Sequence, residues 1–289
     1  MVITGTTRLL GVIGDPIAHS LSPVMHNAAL AELGIDAVYV AFPVASGGLE
    51  AAIAGFAATG VKGFSVTIPH KQSIVPLLTE LTVEAQAVGA VNTVWRTERG
   101  WAGTNTDVAG FIAPLKARLD WSGKTALVLG NGGAARAVVA GCGQLGFAAV
   151  EVVGRNLEKL TNFEQSWANS PLHQSLTIHG WDSLSARLPN ADLLVNTTPI
   201  GMHTTAKQAP LTAQDLDLLP DHALVYDLIY TPRPTHLLAL AAQRGLSVID
   251  GLEMLVQQGA TALEIWLQRP APVATMRQAL IDWLGTTSA

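Results

Sequence analysis

A single cysteine, Cys142, stands in a chain of 289 residues, which excludes an intramolecular disulfide and any metal site built on several thiolates. It falls within an expected helix and reads as a small buried residue. The eight histidines show no HxxxH or comparable ligand spacing, so no metal is expected, and His19, His26 and His70 read as local hydrogen-bonding partners. Charge is scarce as well. Only 13% of residues are charged, and a net charge of -5 leaves no basic footprint for nucleic acid or for an anionic membrane. Apolar stretches are cut by Gly, Pro or Glu before they reach the roughly 18 residues of a membrane span. What remains is a cytoplasmic chain whose partners are small molecules, expected as a monomer or a homodimer. Apolar residues are plentiful at 49%, enough for two domains with separate cores.

Short β-branched runs alternate with helical patterns from the start, which is the order of an α/β fold. Strands are expected at 8–14, 37–42 and 63–67, helices at 23–33 and 49–59, short helical pieces after Lys71 and Thr82, and extended chain around 91–96. A second series opens with the near-continuous apolar run 125–129, suited to a strand covered on both faces. Strands at 149–153, 176–179, 192–196, 223–227 and 247–249 follow, a doubly wound, Rossmann-type order. Two amphipathic helices, 252–267 and 273–284, close the chain around Pro270 and Pro272 and are expected to return to the first domain. The expected division is therefore 1–109 plus 252–289, and 110–251.

The run Gly130-Asn131-Gly132-Gly133-Ala134-Ala135 leaves a strand and opens a helix, the setting of a dinucleotide-binding turn. Gly130 permits the tight turn, Gly132 lets a pyrophosphate approach, and the free amides of the helix start bind phosphate. At the end of the next strand, Gly154-Arg155-Asn156 has no acid to accept the ribose hydroxyls of NAD. Arg155, with Lys159 one turn on, suits a 2′-phosphate, so NADP is expected; an ordinary exposed arginine is the competing reading.

Two further clusters sit at strand ends. Ser20 and Ser22 flank Leu21 ahead of Pro23, with Ser22 read as the N-cap, and the pair makes a plausible carboxylate cradle beside a helix N-terminus. Ser65-Val66-Thr67-Ile68-Pro69-His70-Lys71 leaves a strand end and delivers a lysine to the start of a helix, and Asp107 lies at another strand-to-helix junction. A lysine paired with an aspartate over a substrate hydroxyl is a proton relay. A surface lysine and a capping aspartate would look the same in sequence.

GDPIAHSLSPVMHN at 14–27, SVTIPHK at 65–71, GAVNTV at 89–94, GTNTD at 103–107, GNGGAARA at 130–137, NTTPIGM at 196–202, YDLIYTPRPTHLL at 226–238 and DGLEMLVQQGA at 250–260 stand in one order along the chain. Together they resemble the shikimate dehydrogenase family. The resemblance implies reversible reduction of 3-dehydroshikimate to shikimate by NADPH, in the supply of aromatic amino-acid precursors. It implies that Ser20 and Ser22 hold the substrate carboxylate with Tyr230 nearby, and that Thr67, Asn92, Asp107 and Gln258 meet the ring hydroxyls or the adjoining carboxylate side. Lys71 would be the catalytic residue, paired with Asp107. The cofactor would lie on Gly130, Asn131, Gly132, Gly133 and Ala134 and on Gly154, Arg155, Asn156 and Lys159, with Leu228 and Gly251 at the nicotinamide end. Tyr230 as a core aromatic and Gln258 as an exposed helical residue are the duller readings. A quinate/shikimate dehydrogenase of broader use and a non-catalytic ligand-binding homologue are the alternatives for the whole chain. Two positions depart from the family: Ser65, where an asparagine is usual, and Gly154, where one is frequent. Weaker or altered contacts are expected at both, without loss of activity.

Overall fold

The computed structural model describes residues 2–116, 118–168 and 176–287. Two compact units emerge, one running to Gly110 and resuming at Leu255, the other spanning Phe111–Met254.

The first unit holds a mixed sheet of β1 (Arg8–Gly14), β2 (Ala37–Pro43), β3 (Gly63–Val66), β4 (Glu80–Leu81), β5 (Thr93–Thr97) and β6 (Gly100–Thr104), in the order β2-β1-β3-β5-β6-β4. β1 lies parallel to β2 and β3, and β5 runs antiparallel to both β3 and β6. Consecutive residues of β1 and β3 are buried, because apolar side chains meet cover on both faces of the sheet. Ile13, Phe64, Val66 and Val94 form one core with Ile53 and Phe56 of the helix Leu49–Thr59. The C-terminal helices return to this unit as expected: Val273–Thr287 packs along Ser22–Glu32, burying Met276 and Leu280, and the Thr275 hydroxyl donates to the Glu32 carboxylate. Since β1 reverses direction to neither side, the loops leaving β1 and β3 emerge together at one sheet edge, tied by Asp15 N–H to the Ile68 carbonyl (2.9 Å) and Thr67 N–H to the Ile13 carbonyl (3.0 Å).

The second unit is an all-parallel sheet of β7 (Thr125–Leu129), β8 (Ala149–Gly154), β9 (Leu176–Gly180), β10 (Leu193–Asn196), β11 (Leu224–Asp227) and β12 (Ser247–Ile249). Its order, β12-β11-β10-β7-β8-β9, reverses between β7 and β10, the doubly wound arrangement read from the sequence. Leu127, Leu129, Leu194 and Val225 pack with Leu237, Leu238 and Ala241 of the helix His236–Gln243.

Candidate active site

Lys71 follows β3 in a loop anchored by the Val91 N–H to its own carbonyl (2.8 Å). Its Nζ lies 2.6 Å from Asp107 Oδ2, with the two side chains 16% and 7% exposed. A free surface lysine is thereby ruled out. So is a capping role for Asp107: it is the first residue of the helix Asp107–Ile112, and Asn105 Oδ1 accepts its N–H (3.1 Å), leaving the carboxylate for side-chain partners. The other oxygen, Oδ1, accepts from Asn92 Nδ2 at 2.9 Å. That amide also reaches Thr106 Oγ1 (2.9 Å) and Gln258 Oε1 (3.3 Å), while Asn92 Oδ1 accepts from the Thr106 N–H (2.7 Å). Gln258 in turn donates to the Leu255 carbonyl (2.8 Å), so it is held on the helix Leu252–Leu267 and is not a free surface side chain. Lys71, Asp107, Asn92 and Gln258 thus form one connected polar array drawn from four segments of the first unit. Thr106 belongs to it and was not singled out from sequence.

Ser20 and Thr67 occupy the loops at the adjoining ends of β1 and β3, and Ser22 opens the helix Ser22–Glu32 that follows the first of them. Ser22 does not cap its helix. The helix begins at Ser22 with Leu21 as the cap residue, and it is the Ser20 hydroxyl that accepts the Ser22 N–H (3.3 Å). The buried Ser22 hydroxyl instead faces that of Tyr39, which donates to Ser65 Oγ at 2.8 Å. Burial raises the Tyr39 phenol well above its ordinary value and keeps it a neutral donor. The Ser65 departure therefore builds a buried hydroxyl pair with Tyr39. Of the histidines, His70 meets the expectation, its Nε2 lying 2.6 Å from the Val44 carbonyl. His26 does not: neither ring nitrogen has a hydrogen-bond partner, the ring stacks on Tyr39 at 4.2 Å, and burial lowers its pKa to about 3.

In the second unit every cofactor candidate except Lys159, which lies in the helix Leu157–Gln165, sits at or just after the carboxyl end of a parallel strand. Gly130 has φ +99°, and a Cβ there would stand 2.8 Å from Thr197 Oγ1, so turn and packing both require glycine. Gly132 differs: it is exposed, a Cβ would meet no atom within 4 Å, and no side chain caps the helix Gly133–Gln144 that it opens. Asn131, Gly133 and Ala134 line the same half-buried turn. Arg155 and Lys159 are exposed, and Asn156 caps the helix Leu157–Gln165 by accepting the Lys159 N–H (2.9 Å). A Cβ at Gly154 would stand 3.2 Å from Leu160, which gives that departure a local packing reason. Gly251 and Leu228 are brought together so closely that a Cβ on Gly251 would lie 2.0 Å from the Leu228 carbonyl oxygen. Tyr230 is half-buried in the segment after β11.

One network escaped the sequence reading. Asp227, fully buried at the end of β11, accepts from Asn196 Nδ2 (3.0 Å), the Thr235 hydroxyl (2.7 Å) and the Ile229 N–H (3.2 Å). Burial pushes its carboxyl up to about 6 against the pull of these donors. Asn196 Oδ1 accepts from Thr198, so loops 196–200 and 227–235 share one polar anchor. Its signal was a polar residue ending each of two adjacent apolar strands. Among the described residues, no group of three or more His, Cys, Asp or Glu side chains could hold a metal ion, and no helix is long and apolar enough to cross a membrane.

Fold and site together define a class, the two-unit dehydrogenases that join an α/β unit carrying a lysine–aspartate pair to a doubly wound dinucleotide-type unit. Residues 12–94 match the shikimate dehydrogenase substrate binding domain and residues 251–281 the shikimate 5′-dehydrogenase C-terminal domain. A shikimate dehydrogenase (NADP(+)) of Nostoc sp. is 60% identical over 287 residues, 98% of this chain and 99% of the relative. Among solved structures, the shikimate 5-dehydrogenase of Thermus thermophilus in complex with NADP(H) and shikimate superposes with a TM-score of 0.82 at 34% identity, covering 94% of this chain and 98% of that one. The 5-ketofructose reductase of a Gluconobacter species superposes with a TM-score of 0.84 at 32% identity over 96% and 99%. The chain belongs to the shikimate dehydrogenase family.

Proposed function

We propose that this chain catalyses the reversible, NADP(H)-dependent interconversion of 3-dehydroshikimate and shikimate, with Lys71 as the proton-transferring residue. The observation that carries the reading is the 2.6 Å Lys71–Asp107 contact, continued through Asn92 to Gln258. Bound NADPH supplies the hydride that the ring ketone carbon accepts. Lys71 Nζ gives a proton to the ketone oxygen, so that hydride plus proton yields the alcohol, and the partly exposed amine regains its proton from solvent. Asp107 holds that amine in place. The Asn92 and Gln258 amides offer donors and acceptors to ring hydroxyls, with Thr67 at the neighbouring strand end, while the Ser20 and Ser22 hydroxyls, with Tyr230, take the carboxylate. The glycine turn fits a pyrophosphate, since the uncapped amides at 133–135 and the open space beside Gly132 leave both donors and room. Arg155 and Lys159, both exposed and, among the described residues, without a carboxylate partner, suit the 2′-phosphate, and Leu228 with Gly251 the nicotinamide end. A cytoplasmic setting belongs to this reading, supported by a lone cysteine that is buried.

The 5-ketofructose reductase shares the fold at 32% identity, so substrate choice is the point to test. Purified protein is given shikimate or quinate, each with NADP or NAD, and reduced-nicotinamide absorbance is followed. The expected result is a rate mainly with shikimate and NADP. Comparable rates with quinate or NAD would assign a broader quinate/shikimate dehydrogenase, and no rate in any pair a ligand-binding homologue.

A further inference from the structure

At the opposite sheet edge of the first unit, a cavity of about 410 Å³ opens beneath the C-terminal end of the helix Leu252–Leu267. Arg8 at the start of β1, Lys62 just before β3 and Arg96 on β5 line it, together with the rings of Trp95 and Trp266. No carboxylate is in the lining. Two acids adjoin the lining in sequence: Asp36 is turned to the Thr6 and Thr7 hydroxyls (3.0 and 2.7 Å), and Glu264 accepts the Ala271 N–H (3.1 Å). Among the described residues, none of the three cations forms an ion pair, although the chain carries 22 acids against 17 bases. Arg96 lays its guanidinium over the Trp101 ring (5.2 Å), which leaves Arg8 and Lys62 as the uncompensated positive charges at the concavity. Two such charges attract an anion, and two indole walls favour a flat ring.

This concavity is also wired to the array around Lys71. β5 runs from beside Asn92 to Trp95 and Arg96, and the helix Leu252–Leu267 carries Gln258 near its middle and Trp266 at its C-terminal end. The two elements are cross-linked twice, by Asn92 Nδ2 to Gln258 Oε1 at the array and by Trp266 Nε1 to the Val94 carbonyl (2.9 Å) beside the cavity. β1 separates Arg8 from the substrate loops by about 20 Å, from its rise per residue, so the two places do not overlap. We propose that the cavity is a second ligand site for a small aromatic anion, a carboxylate or phosphate on a planar ring, and that its occupancy shifts the helix bearing Gln258 and so modulates substrate affinity. The modulation rests on the role given to Asn92 and Gln258 above; the binding itself does not.

The test uses the intact enzyme with saturating NADP, so that Arg155 and Lys159 are occupied, and titrates phenyl phosphate by calorimetry and tryptophan fluorescence. Saturable binding of one equivalent is expected, about tenfold tighter than inorganic phosphate. It should weaken by about tenfold or more in the Arg8→Gln/Lys62→Gln variant and in the triple variant that adds Arg96→Gln, each checked to melt and turn over as the parent does. The KM for shikimate should change several-fold with the probe in the parent and not in the variants. No saturable binding, equal binding in the variants, or displacement by shikimate would overturn the site. Binding with an unchanged KM would overturn the modulation alone, and an enzyme without shikimate turnover would fail the catalytic reading and leave the calorimetry to decide.

Discussion

The two units prepare for their ligands in opposite ways. In the first, side chains do the work: a lysine, a carboxylate and two amides are already hydrogen-bonded to one another, with Asp107 and Asn92 almost wholly buried. In the second, the backbone presents itself through glycine and uncapped amides, flanked by cations that reach into solvent. The difference follows from the chemistry assigned to each. Proton transfer needs a group fixed to a fraction of an ångström, and a buried network of mutual hydrogen bonds supplies that rigidity. A pyrophosphate needs converging N–H groups and room to approach, which side chains would obstruct.

Three measurements break or sharpen this contrast, the largest effect first. In each unit a buried group couples stability to pH in the acid range, His26 in the first and Asp227 in the second, and the two act with opposite sign. His26 binds its proton at about pH 3 when folded and at 6.5 when unfolded, so the first unit loses stability as pH falls through that window, on the order of 5 kcal/mol in full. Asp227 binds at about 6 when folded and 3.8 when unfolded, so the second unit gains stability as pH falls from 6 toward 3.8, on the order of 3 kcal/mol. Hydrogen exchange at pH 6.5 and pH 4 should show protection dropping in β2 and the helix Ser22–Glu32 relative to β10 and β11; a uniform change across both units would refute the assignment. Next, Lys71→Met should lower turnover by about 10³-fold while NADP affinity, measured by calorimetry, stays as it was. Loss of both together would show that the two sites are not separable in this way. Smallest is Gly132→Ala, which the fold accommodates in open space, so melting should move by no more than about 0.5 kcal/mol while NADP binds about tenfold more weakly. Unchanged NADP affinity would remove the pyrophosphate from this turn.

Much of this was legible in the linear chain, for a physical reason. Strands buried on both faces are short β-branched runs between glycine or polar residues, and β1, β7 and β12 begin and end where those runs do. β6, with the residues GWAGT, carries no such signal. Glycine and alanine have little strand preference, and this segment is extended because β5 on one side and β4 on the other pair with it. The N-cap at Ser22 was misread because Pro23 suits either of the first two helical positions, and only the Tyr39 hydroxyl, 17 residues away, draws the serine aside. Lys71 and Asp107 could be nominated singly, whereas their contact spans 36 residues and no local pattern encodes it.

Gln258 lies beyond the whole of the second unit in chain order. During synthesis, the doubly wound unit can fold complete while the first still lacks the helix that finishes its polar array. The polar array around Lys71 is therefore among the last parts of the molecule to assemble, and a nascent chain whose doubly wound unit is already formed still lacks the glutamine that completes it.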